Sequence, residues 1–168
     1  LVKIGVTPVN DPPVALPDAV TTQEDSAVTI AVLANDSDPE GQALSIDGVP
    51  TALHGTVTVN SNGTLQYVPE ANYNGADTIT YSIKDPGGLT STSTVAVTVT
   101  PVNDPPVADS TAINVYEESK GTSLGLQVPS DADNDSLTIR VTGLPLMGEV
   151  LLADKPVIIG QVLTADEL

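Results

Sequence analysis

Short runs in which apolar and polar residues alternate recur along the first hundred residues of the chain. The alternation has a period of two and uses mainly Val, Ile and Thr, which is typical of half-buried β-strands. Turn-forming residues separate the runs at 38–41, 61–63 and 85–88. With a first strand near 19–22, the pattern predicts about seven strands and no helix longer than about two turns. The other predicted strands carry Val28, Ile30 and Val32; Leu44 and Ile46; Val57 and Val59; Leu65 and Tyr67; Ile79, Tyr81 and Ile83; and Val95, Val97 and Val99.

The sequence repeats itself over the length of a domain. The run VTPVNDPPVA occupies positions 6–15 and recurs without change at 99–108, an offset of 93 residues. Because this offset is a domain length and not the period of a solenoid, two copies of one domain type are present. The predicted fold class is therefore all-β, as tandem antiparallel seven-stranded Greek-key β-sandwiches with an incomplete second copy.

The repeat also predicts the domain boundaries. Residues 1–9 match the run that closes the first complete copy, so we expect them to be the last strand of a preceding repeat. Residues 10–102 form one complete repeat. Residues 103–168 form a second repeat that lacks the part corresponding to the last two strands, which suggests that the chain is an internal piece of a longer protein.

The charge balance narrows the functional classes. The chain has 22 Asp and Glu against 5 Lys and Arg, for a formal net charge of −17. This balance disfavours nucleic acid as a partner, and it equally disfavours direct contact with an anionic membrane. The chain has no Cys, so neither a disulfide nor a thiolate zinc site is available. Extracellular eukaryotic modules of this size often use disulfides, so the lack of Cys favours a bacterial source. We therefore expect an extracellular location, on a bacterial cell surface or secreted.

The acidic residues concentrate at predicted turns. Asp36 and Asp38 lie in the turn after the second strand, and Asp131 and Asp133 are taken as their counterparts in the second copy, with the register shifted by two. Two carboxylates spaced in this way repel each other, and a hard cation that takes oxygen ligands relieves the repulsion. Calcium suits such irregular oxygen cages better than magnesium does. The alternative is that Asp, Asn and Gly are simply good turn formers.

The order of motifs resembles that of cadherin repeats, and more closely that of the cadherin-like and immunoglobulin-like tandem repeats of giant repeats-in-toxin surface adhesins of the biofilm type. In such repeats an acidic pair comes first, and a Val-Asn-Asp-x-Pro-Pro linker closes the unit. The matching segments are ED at 24–25, NDSD at 35–38, YVPEANYNG at 67–75, DPGG at 85–88 and VNDPP at 102–106. The resemblance covers the whole first repeat, and the second is more divergent.

The resemblance implies calcium as the cofactor, bound where successive repeats join. Asp25 and Asp77 are weaker candidates, since such acids are more often on the surface without a role. The metal ligands that the resemblance implies are Glu24 and Glu70 at the base of the first repeat, Asn103 and Asp104 in the linker, Asp131 and Asp133 at the top of the second repeat, and, at the other pole, Asn10 and Asp11 with Asp36, Asp38 and Asp85.

The sequence favours a structural role over catalysis. His54 is the only histidine, and its counterpart in the second repeat is Met147, which favours a loop or packing role. We expect a calcium-binding extender repeat of a bacterial adhesin, whose direct partners are neighbouring repeats of the same chain. Cell-surface glycans or proteins would be bound through other domains. The alternative is a β-sandwich module that itself binds a carbohydrate or protein, and an accessory domain of a secreted enzyme is the weakest hypothesis.

Overall fold

The chain divides into two units, Leu1–Val102 and Asn103–Leu168, hereafter unit 1 and unit 2. A computed structural model describes residues 5, 7, 9–110, 112–114, 122, 124–164 and 167. The described part is nearly all β-structure and contains no α-helix. Among these residues there is accordingly no helix that is long and apolar enough to cross a membrane.

Unit 1 has the seven strands that the alternating pattern predicts. They are β1 (Asp18–Gln23), β2 (Val28–Ile30), β3 (Ser45–Thr51), β4 (Gly55–Val59), β5 (Leu65–Pro69), β6 (Gly75–Lys84) and β7 (Thr90–Thr100). One sheet has the spatial order β1-β7-β6-β3, and the other has the order β2-β5-β4. Strands that are distant in sequence thus lie side by side, and the prediction of an immunoglobulin-like β-sandwich is confirmed.

The core of unit 1 lies between the two sheets. Because successive side chains of a strand point to opposite faces, β6 buries Ile79, Tyr81 and Ile83 while the residues between them face outward. The other sheet contributes Leu65 and Tyr67, both fully buried. The core therefore consists of aliphatic side chains and two tyrosine rings, each with a hydroxyl that needs a hydrogen-bond partner.

Two residues of the predicted strands lie outside them. Val32 belongs to a short 3₁₀ helix, Val32–Ala34, where the chain leaves β2. Its side chain is nevertheless completely buried, so the apolar pattern identified its environment but not its backbone conformation. Leu44 immediately precedes β3 and packs against the core from there.

One strand pair of unit 1 is parallel, which departs from the wholly antiparallel sandwich predicted. β1 runs parallel to β7, with Asp18 opposite Val95 and Gln23 opposite Thr100. The chain enters unit 1 beside the β6–β7 turn and leaves it after the end of β7. The first and last strands therefore run in the same direction, and adjacent strands of that kind pair in parallel.

Unit 2 has fewer and shorter strands in its described part. They are β8 (Thr138–Arg140), β9 (Leu151–Leu152), β10 (Lys155–Pro156) and β11 (Val162–Thr164). β8 pairs with β11, and β9 with β10, both antiparallel. Val157 and Leu163 are buried. That residues 103–168 form an incomplete copy of the first repeat stays a prediction.

Candidate functional site

The linker that opens unit 1 is held against the acidic loops at one end of the sandwich, which we call the leading end. Val14 and Ser37 exchange two backbone hydrogen bonds of 2.8 and 3.1 Å. The side-chain amide of Asn10 donates to Oδ2 of Asp85 at 2.7 Å, and its oxygen accepts from Nε2 of Gln42 at 2.7 Å. The linker is thus part of the folded unit that follows it.

The loop at 38–42 is organised by a single carboxylate. Oδ1 of Asp38 accepts the backbone N–H groups of Glu40 and Gln42, at 2.9 and 3.0 Å. Gly41 takes a positive φ of 71°, which few other residues adopt without strain. The loop directs Glu40 to the linker, where Oε2 accepts the N–H of Asp11 at 3.1 Å.

Among the residues that the structure describes, no hydrogen-bond donor reaches two carboxylate oxygens at the leading end. They are Oδ2 of Asp36 and Oδ2 of Asp38, and both atoms are buried. The other oxygen of Asp36 accepts the N–H of Leu16 at 2.8 Å. Desolvation by burial raises the pKa of Asp36, and the charge of Asp18 adds to this effect. Since buried polar atoms are normally paired, these two oxygens are open positions for a proton or a cation.

Asp85 is the most buried acid of the leading end, at 3% exposure. Burial alone would raise its pKa, but hydrogen bonds from Asn10 and from the backbone N–H groups of Leu89, Gly88 and Gly87 outweigh burial, and the pKa is lowered. A Cβ atom at Gly87 would lie 2.7 Å from Nδ2 of Asn10. The glycine therefore gives the linker amide room to reach the carboxylate.

At the opposite end of unit 1, the trailing end, Glu24 binds the departing chain. Its side chain is 3% exposed, and Oε1 accepts the backbone N–H of Val102. Oε2 accepts from Nδ2 of Asn74 at 3.4 Å, and the backbone N–H of Glu24 donates to the carbonyl of Thr100 at 2.9 Å. Both oxygens of Glu24 thus have partners within unit 1.

Glu70, the other predicted ligand of the trailing end, has different surroundings. Its side chain is 63% exposed, and Oε2 lies 3.7 Å from Nδ1 of His54. The imidazole stacks on the ring of Tyr73, with centroids 4.2 Å apart and planes 11° from parallel. This stacking agrees with the packing role expected for the histidine.

Asp77 is buried, contrary to its interpretation as a surface acid. It is 6% exposed, and its carboxylate accepts the N–H groups of Leu53, His54 and Thr78 and the hydroxyl of Tyr67, the last at 2.8 Å. Burial alone would raise the pKa of Asp77, but these hydrogen bonds outweigh it and lower the pKa. The residue fixes the start of β6 to the loop before β4. Its burial could have been predicted from the alternating pattern, since Asp77 stands in phase with Ile79 and Tyr81.

The acidic loop of unit 2 has the same construction as that of unit 1. Oδ1 of Asp131 accepts the N–H groups of Asp133 and Asp135, at 3.0 and 3.2 Å. Asn134 takes a positive φ of 59°, as Gly41 does in unit 1. Oδ2 of Asp133 accepts the N–H of Asp104 at 2.7 Å. A backbone bridge between Val107 and Ser130 corresponds to that between Val14 and Ser37.

This correspondence corrects the alignment expected from the sequence. At the constant offset of 93, Asp131 is the counterpart of Asp38 and Asp133 that of Glu40, with no shift in register. The place of Asp36 is taken by Pro129, so unit 2 has no carboxylate there. Glu40 and Gln42 hold the linker of unit 1, although neither was among the ligands predicted from the sequence. The unshifted offset of 93, which aligns Glu40 with Asp133, could have indicated them.

The predicted metal ligands do not converge on one metal-like cluster. In the part of the chain that the structure describes, no group of three or more His, Cys, Asp or Glu side chains is placed to hold a metal ion. The leading end of unit 1 brings Asn10, Asp85 and, through Gln42, Asp38 into one hydrogen-bonded network. These groups offer oxygens, the donor type that calcium takes. At the offset of 93, the acidic pair ED at 24–25 corresponds to EE at 117–118, and this second pair lies outside the described residues.

A family model described as Bacterial Ig domain matches residues 10–98, more than half of the chain. The chain therefore belongs to the bacterial immunoglobulin-like domain family, whose members are generally extracellular or surface-associated. No curated protein matches the sequence.

Among solved structures, the chain is similar to a nucleoside hydrolase-related hypothetical protein from Saccharophagus degradans that is associated with carbohydrate metabolism. The identity is 17% and the TM-score 0.41, and the match covers 54% of this chain. The chain spans about a quarter (26%) of the length of that structure.

Proposed function

We propose that this chain is a spacer segment of a bacterial surface or secreted adhesin, in which immunoglobulin-like repeats hold other domains away from the cell. The observation that carries the proposal is the parallel pairing of β1 with β7. It means that the chain enters unit 1 at the leading end and leaves at the trailing end. Within such a repeat, entry and exit are separated by about the length of the long strands, about 35 Å for the eleven residues of β7.

The linkers support this proposal. The same ten residues stand before both units, and in each unit they are held by the same loop, through Glu40 in unit 1 and Asp133 in unit 2. The two Pro residues of each linker restrict φ and remove backbone donors, so the linker is stiff by composition. A spacer needs a repeated, defined connection of this kind, whereas a ligand-binding module does not.

We further propose that calcium stabilises the repeats. The unpaired buried oxygens of Asp36 and Asp38 support this, because each is a buried negative group that a cation would satisfy. At the leading end of unit 1, Asp85, Asn10 and Asp11 would complete the oxygen donors. In unit 2 the candidate donors are Asp131 and Asp133 with Asn103 and Asp104. Glu24 and Glu70 stay candidates at the trailing end. When bound, the ion supplies positive charge and no chemistry.

The experiment measures the maximum dimension of the full chain by small-angle scattering and its melting temperature, each with calcium and with chelator. If calcium binds the folded state, stability rises by about 2.7 kcal/mol at a concentration one hundred times Kd. An unchanged melting temperature would overturn the role of calcium. A spacer also predicts silence on a glycan array, and a specific hit would favour the binding module instead. We propose no catalytic activity for the chain.

A further inference from the structure

We infer that two carboxylates, Glu24 and Asp133, reduce the bendable part of the linker to Asn103 and the bonds beside it, without any cation. The inference deepens the proposed spacer function and rests on it. It concerns the hydrogen bonds that these two acids accept from the backbone in the absence of a cation.

The first clamp belongs to unit 1. Val102 follows β7, beyond the last residue that pairs with β1. Its N–H would otherwise be free, but it donates to Oε1 of Glu24, a side chain that is 3% exposed. A carboxylate that accepts a backbone N–H away from water forms one of the stronger hydrogen bonds in proteins. Val102 therefore moves with unit 1.

The second clamp belongs to unit 2. The N–H of Asp104 donates to Oδ2 of Asp133 at 2.7 Å, and Asp133 is held in turn because its own N–H donates to Asp131. Pro105 and Pro106 follow, and the bridge between Val107 and Ser130 then joins the chain to the unit. Asp104 therefore moves with unit 2.

Asn103 stands alone between the two clamps. Its side chain donates only to the carbonyl of the adjacent Asp104, at 3.1 Å, and its backbone N–H has no acceptor among the described residues. The same clamp recurs in unit 1, where Glu40 accepts the N–H of Asp11. Because the contact recurs in both units, we take the hydrogen bond to the linker Asp as a property of the repeat and not of a single loop.

The test is amide hydrogen exchange of the full chain in chelator, followed residue by residue. We expect Val102 and Asp104 to be protected and Asn103 to exchange at nearly the rate of an unfolded chain. Glu24→Ala should speed exchange at Val102 by about tenfold to a hundredfold and leave Asp104 unchanged. Asp133→Ala should do the reverse. Glu70→Gln, at an exposed acid of the trailing end, is the matched control and should change neither.

Core amides such as those of Val95 and Val97 report whether a variant still folds. If Glu24→Ala unfolds the chain, Glu24→Gln replaces it, since the amide keeps an oxygen acceptor but loses the charge. Equal, rapid exchange at Val102, Asn103 and Asp104 in the chelated wild type would overturn the inference. Because no step uses calcium, that result would leave the calcium-dependent melting of the proposed spacer untouched, and a missing calcium response would leave the clamps untouched.

Discussion

The two ends of unit 1 use the same residue types in different ways. At the trailing end, Glu24 and Asp77 are buried and their carboxylates are hydrogen-bonded to backbone N–H groups and side chains. At the leading end, Asp36 and Asp38 each bind the backbone through one oxygen and leave the other buried without a donor. The comparison teaches that an acid in a turn can complete the fold or can leave a position open for a ligand. Which of the two roles an acid has depends on its hydrogen bonds and not on its place in a motif.

The largest effect is expected at the trailing end. Asp77→Ala removes the acceptor of three backbone N–H groups and of the hydroxyl of Tyr67, and buried donors without partners cost about 1–3 kcal/mol each. We expect the free energy of unfolding in urea to fall by about 3 kcal/mol or more. Asp47→Ala is the control, since this half-exposed carboxylate accepts from Nζ of Lys84 at the surface and Asp47 has no positive φ. Similar losses in both variants would contradict the structural role of Asp77.

The calcium response of unit 1 should depend mainly on its leading end. Asp36→Asn with Asp38→Asn removes both charges next to the unpaired oxygens. We expect the chelated double variant to be as stable as the wild type or slightly more stable, because the cost of burying the charge of Asp36 is lost. It should also lose most of the rise in melting temperature on adding calcium. Glu149→Gln, at an exposed acid that is not a candidate ligand, should keep that rise, and a full response in the double variant would refute the assignment.

The pH dependence should have opposite signs at the two ends. The pKa of Asp77 is below 3.8 in the folded state, so its contribution to stability is present above pH 3.8 and is lost as the pH falls through the folded pKa. The pKa of Asp36 is raised above 3.8, so its contribution is present below that pH and is lost as the pH rises through the folded pKa. Urea unfolding from pH 2.5 to 7, with Asp77→Asn and Asp36→Asn, measures both. The comparison of the two ends would be wrong if the stability differences between the wild type and each variant changed with pH in the same direction.

The smallest effect is expected from Gly87→Ala. The added Cβ meets the flexible side chain of Asn10, so the amide moves away from Asp85 at a cost of about 1 kcal/mol or less. NMR should show the change at the Asn10 side-chain amide, and calcium affinity should fall a few-fold. Gly88→Ala is not a matched control because Gly88 has a positive φ of 89°. Gly143→Ala, in unit 2 with open space around its Cβ position, serves instead. An unmoved Asn10 amide would refute the close contact.

The alternation of apolar residues determined the strands of unit 1, because a half-buried strand requires a period of two whatever lies opposite it. The repeat offset of 93 likewise determined how the two acidic loops correspond, although the pairing of Asp36 with Asp131 overlooked it. Both signals are local or come from simple comparison within the chain. They specify elements, boundaries and a family resemblance.

Only the tertiary structure decided what each acid does. Glu24 and Val102 are 78 residues apart, and Asn10 and Asp85 are 75 apart, so no local pattern brings these partners together. The parallel pairing of β1 with β7 is similarly non-local, because it follows from the chain entering and leaving at opposite ends. Burial distinguishes Asp77 from Asp25, although both acids stand beside a turn or strand. Burying a charge without hydrogen-bond partners is costly, so a buried acid such as Asp77 needs donors around it. Those donors come from parts of the chain that only the fold brings together.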